Sequence, residues 1–145
     1  MTFEFEVNAN GWELDQSLWN ELRLAAQSAM AETFYSIVRG NFGATGIDRP
    51  IEWVPLSDKY AKRVKRDYPT LFLSGDLESS VMWDGSDLDA GVVWTDNPYA
   101  VAHQDGSGTL PARPFFPITA AGELTDFAQS QVVEAAETAI AQKLS

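Results

Sequence analysis

The stretch from Asp15 to Gly40, DQSLWNELRLAAQSAMAETFYSIVRG, decides the architecture. Leu18, Trp19, Leu22, Ala25, Ala26, Ala29, Met30, Phe34, Ile37 and Val38 recur at spacings of three and four, which lays them along one stripe of a helix. Asp15 stands where a carboxylate caps the first turn, and Gly40 where a left-handed residue ends the last. Ala25, Ala26 and Ala29 keep one face thin enough for another backbone to come close. On the N-terminal side, Thr2 to Val7 alternates Phe3, Phe5 and Val7 with Glu4 and Glu6, the period of a strand with one buried face.

On the C-terminal side, residues 41 to 50 (NFGATGIDRP) hold two glycines and a proline without periodicity. They read as a mobile loop, and they lack the GK[ST] ending of a phosphate-binding P-loop. Ser57 as cap and Asp58 in the first turn predict a short helix to about Asp67; Tyr68, before Pro69, ends it, and Leu71, Phe72 and Leu73 drop into the core. Ser74 and Gly75 turn the chain, and Leu77 to Trp83 and Gly91 to Thr95 read as two strands around an Asp84-Gly85 turn. Tyr99 to Gln104 predicts a helical turn or two. Gly106, Gly108 and Pro111 mark a loop, and the PFFP of residues 114 to 117 is too proline-bound for a central strand. Ala120 to Leu144 is helical, with Leu124, Phe127, Val132, Ala135, Ala136 and Ile140 expected on its buried face. The sum is one α+β domain over residues 1 to 145: two longer helices packed on a small, mostly antiparallel β-sheet, with a short basic helix and extended loops.

Composition bounds the chemistry. A chain of 145 residues, 45% hydrophobic and 21% charged, builds a core without staples. The absence of cysteine removes disulfides, thiol nucleophiles and Cys-type zinc sites, and a single histidine removes His-rich metal centres. No apolar run reaches the ~18 residues of a membrane span, and the start has neither a basic nor an apolar leader region, so a soluble protein without a signal peptide is expected. Ten basic against 21 acidic residues leave a net charge of −11, which repels nucleic acid and anionic membrane. The charge is also polarised. Lys59, Lys62, Arg63, Lys65 and Arg66 fall within eight positions, whereas residues 76 to 105 carry Asp76, Glu78, Asp84, Asp87, Asp89, Asp96 and Asp105 with no Lys or Arg. These are either solvated faces or complementary patches that meet on neighbouring copies.

Candidate chemistry is sparse. His103, the one histidine, would need an orienting carboxylate and a nucleophile or water to act as a base, and a structural histidine held by hydrogen bonds is the expectation. DGSDLDAG, with Asp84, Asp87 and Asp89, resembles half of a calcium loop, but Thr95 stands where the twelfth-position Glu belongs. Ser57 and Ser74 lack a GxSxG context. Of the aromatics, Tyr60 and Tyr68 interleave with the basic cluster, which is too little for a single-strand nucleic-acid groove in an acidic chain. Pro111, Arg113 and Pro114 stiffen a loop and aim Phe115 and Phe116, either into their own core or into a neighbour's pocket. Arg113 could pair with an acid of residues 76 to 105, and His103 and Gln104 could fix the loop ahead of Gly106.

Four fragments in order carry a resemblance: Trp53-Val-Pro55-Leu56-Ser57 with Tyr60 and Lys62; Leu73-Ser-Gly75-Asp-Leu77-Glu-Ser-Ser80; Tyr99-Ala-Val-Ala-His103-Gln104-Asp-Gly106; and Leu110-Pro111-Ala-Arg113-Pro114-Phe115-Phe-Pro. Over residues 53 to about 118 the chain resembles the phage virion morphogenesis family, the tail-completion and neck proteins of long-tailed, Mu-like bacteriophages. The resemblance implies a structural, non-enzymatic protein without cofactor or metal, assembled in the bacterial cytoplasm into the virion tail or neck. Its expected partners are copies of itself in a hexameric or other closed ring, the tail tube or connector and adaptor proteins, and DNA that crosses the lumen without specific binding; no membrane is involved. Lys59, Lys62, Arg63, Lys65 and Arg66 would meet Asp84, Asp87, Asp89 and Asp96 of the next subunit, with Arg113, Phe115 and Phe116 also at the interface, and surplus acid would line the lumen. An acidic interaction module of a prophage region and a small metal-assisted hydrolase using His103 are the alternative readings.

Overall fold

The computed structural model describes residues 1–8, 15–58 and 75–145. It is α+β: helices, two of them long, packed on a small three-stranded antiparallel sheet. In chain order the elements are β1 (Thr2–Phe5), α1 (Gln16–Gly40), α2 (Asp76–Ser79), β2 (Met82–Asp84), β3 (Gly91–Trp94), α3 (Ala100–Asp105) and α4 (Asp126–Leu144). The expected basic helix after Asp58, with Leu73, lies outside the described residues. The chain gathers into two compact units. One holds Thr2–Ser36, Met82–Trp94 and Asp126–Ser145, and the other Met1, Ile37–Val81 and Thr95–Thr125.

In the first of these units β3 is the central strand, in the order β1-β3-β2. Phe3 and Trp83 both pair with Val93, and Phe5 pairs with Gly91, so one face of the sheet collects these side chains. Phe34 of α1 stacks on Phe3 at 5.0 Å and meets Phe5 edge-on at 5.3 Å, while Tyr35 lies 6.4 Å from Trp83. The close approach to α1 falls at Gln27 and Ala31, and not at the expected Ala25, Ala26 and Ala29. A Cβ on Gly91 would overlap the Gln27 carbonyl oxygen and lie 3.0 Å from the Ala31 methyl. Gln27 itself is fully buried. Its Oε1 accepts the Val7 N–H at 3.0 Å and its Nε2 donates to the Leu88 carbonyl at 3.0 Å. That bond diverts Val7 from the ladder, which is why β1 stops at Phe5 and not at Val7. Asp15 caps α1 as expected, its Oδ1 accepting the N–H groups of Ser17 and Leu18.

Several sequence expectations are corrected. Gly40 is the last helical residue and not a left-handed one; its lack of a Cβ makes room for the Ile47 side chain. Leu77 does not start a strand. Gly75 has φ 77°, and the chain winds directly into α2, in which Leu77 is buried and Ser80 Oγ donates to its carbonyl at 2.6 Å. Asp84 is a strand residue opposite Val92 and not part of the turn, so the β2–β3 hairpin closes through residues 85 to 90. α4 begins at Asp126 and not Ala120, because Gly122 at φ 83° and the Thr119–Glu123 main-chain bond fold the preceding residues into a turn. Ala128 and Val132, one turn apart, face inward, which turns Phe127 outward at 46% exposure.

Replacing Gly91 by Ala is expected to cost about 2 to 3 kcal/mol, since the methyl meets fixed backbone. Gly108→Ala, in open space at φ 56°, should cost about 1 kcal/mol from backbone strain alone. Urea denaturation of both variants tests the close approach; equal losses would contradict it.

Candidate functional site

Three of the four fragments quoted for the resemblance converge in the second unit, around Phe115 and Phe116. Both rings are fully buried. Their centroids are 5.2 Å apart, and Phe42 lies 5.1 Å from Phe115 and meets Trp53 edge-on at 6.5 Å. Burying this segment also buries its peptide groups, which then need partners inside the protein. Side chains supply them. Gln104 Oε1 accepts the N–H of Phe115 at 3.0 Å and of Phe116 at 2.9 Å, and its Nε2 donates to the Phe116 carbonyl at 3.1 Å. Trp53 Nε1 donates to the Pro114 carbonyl at 2.8 Å, and Asn41 Nδ2 to that of Phe115 at 2.9 Å.

Arg113 completes the tie. Its side chain is buried, with Nε donating to the Val54 carbonyl at 2.7 Å and Nη2 to that of Pro55 at 3.2 Å, while its own N–H donates to the His103 carbonyl at 2.7 Å. The Trp53–Ser57, Tyr99–Gly106 and Pro111–Pro114 fragments are therefore one hydrogen-bonded knot. Leu77 and Gly75 belong to the same unit, Leu77 buried; Pro111 and Leu56 are half-buried, and Ser57 is exposed. Tyr99 is exposed at the start of α3, and Gly106 at φ 80° turns the chain after it. Arg113, Phe115 and Phe116 thus leave the expected subunit interface: the rings have no surface to offer, and the guanidinium serves carbonyls of its own chain.

Asn41 and Arg49 were not expected here. Residues 41 to 50, read from the sequence as a mobile loop, are tied through Asn41. Its Oδ1 accepts the N–H groups of Ile47 and Asp48, its Nδ2 also donates to the Asp48 carbonyl, and its own carbonyl accepts Arg49 Nε and Nη2. Arg49 also lies 3.6 Å above the Trp53 ring, a cation–π contact, and Thr125 Oγ1 donates to Asp48. No local pattern marks Asn41, because its partners lie at 47, 48 and 115.

His103 is half-buried, and its Nδ1 has no hydrogen-bond partner among the described residues. The imidazole therefore does not fix the loop as expected; its main-chain carbonyl does. Burial first and the Arg113 charge second push its pKa below the ordinary imidazole value, which keeps the ring neutral at pH 7. No group of three or more His, Asp or Glu able to hold a metal occurs among the described residues, and none of their helices is long and apolar enough to cross a membrane.

Asp84, Asp87 and Asp89 of the expected acidic patch lie in a built loop of the sheet unit, and Asp96 belongs to the other unit. Asp84 Oδ1 accepts Ser86 N–H at 2.8 Å and Oγ at 2.7 Å, which holds its carboxyl below the usual range. Asp87 Oδ1 accepts the Asp89 N–H at 2.7 Å. Asp84, Asp87, Asp89 and Asp96 remain exposed. Lys59, Lys62, Arg63, Lys65 and Arg66 lie outside the described residues. No protein-family model, curated protein or solved structure matches this chain.

Gln104→Leu keeps the volume but removes the acceptor of the Phe115 and Phe116 N–H groups, while the Phe116 carbonyl keeps the Ile118 N–H at 2.7 Å, so a loss of at least about 2 kcal/mol is expected in urea denaturation. His103 gives a pH signature. Its folded-state pKa is depressed, so the unfolded chain takes the proton first as pH falls. Its contribution is complete above the ordinary imidazole value of 6.5 and lost below it, down through the folded-state value. Thermal melts from pH 7.5 to 5 should show a steeper decline for the wild type than for His103→Gln; parallel curves would contradict this.

Proposed function

We propose that this chain is a structural assembly protein of a tailed phage or phage-derived particle, a subunit of an oligomeric ring at the head-tail junction or tail end. It does no chemistry of its own. Support comes from one observation above the others: the ordered fragments Trp53–Ser57, Tyr99–Gly106 and Leu110–Pro117, spread over sixty residues of sequence, meet in one hydrogen-bonded knot and so have an architectural role. The polarised charge adds to this. Five bases within residues 59 to 66 and a stretch from 76 to 105 with acids and no Lys or Arg are opposite in charge, as a head-to-tail contact between unlike surfaces requires, and such contacts close into rings when the rotation allows. The excess acid would repel DNA from a lumen wall. Tail tube and connector or adaptor proteins are its partners in this proposal, and the virion neck or tail its final place.

A hydrolase centred on His103 draws less support. The described neighbour of its imidazole is the cationic Arg113, which opposes a second positive charge on a catalytic base.

Purified protein should form closed rings in negative-stain images, alone or capping assembled tails mixed with it, and sedimentation should show salt-sensitive association. A monomer at every concentration, with and without tails, would overturn the proposal.

A further inference from the structure

We draw no further inference here: the strongest candidate, the face of the three-stranded sheet turned away from α1, where half-buried Val92 and Trp94 lie beside exposed Met82 between Glu4 and Asp84, is an apolar face with acidic margins, and nothing in the structure shows what covers it.

Discussion

The buried main chain of residues 114 to 116 is the constraint around which the second unit is built. Two prolines keep this segment out of a sheet, and two phenylalanines drive it inside, so its peptide groups enter an apolar interior with no ladder to satisfy them. Each unsatisfied group would cost about 1 to 3 kcal/mol. Gln104, Asn41 and Trp53 remove that cost with side chains set at the required places. Because a side-chain amide offers both donor and acceptor, Gln104 serves three groups at once, and Asn41 links the same segment to the 47–48 turn. Arg113 extends the tie to Val54 and Pro55, immediately before the basic segment.

The sheet unit solves a similar problem with Gln27. A buried amide on an otherwise apolar helix face takes up the Val7 N–H where β1 ends and the Leu88 carbonyl where the hairpin loop returns. Phe34 and the missing side chain of Gly91 set how closely α1 approaches the strands. In both units apolar burial supplies the drive, and buried side-chain amides, Gln27 in one and Gln104 with Asn41 in the other, fix which irregular segment can be buried.

Surface carboxylates of the described residues differ in what they do for the fold. The carboxylates of Asp84 and Asp87 build their own loop, whereas Glu134 and Glu137 stand on an exposed helix beside half-exposed apolar side chains. Surface acids of the first sort shape a turn.

By itself the sequence determined the α+β class, the cap and span of α1, the alternation of β1, the hairpin around residues 84 to 91 and the short helix after Tyr99. These depend on periodicity and local turn chemistry, which act between residues close in the chain. It also marked the fragments that meet in the knot, though not their purpose. Only the tertiary structure decided that Phe115, Phe116 and Arg113 face inward, that Asn41 and Gln27 are organising residues, that Phe127 faces out and that Gly40 serves Ile47 and not a left-handed turn. Each of those outcomes depends on a partner beyond the local pattern, from seven to more than seventy residues away, or on a rotation of about 100° per residue along a helix. Neither a non-local hydrogen bond nor a helix's final rotation leaves a trace in nearest-neighbour pattern, because both are fixed by what the rest of the chain buries.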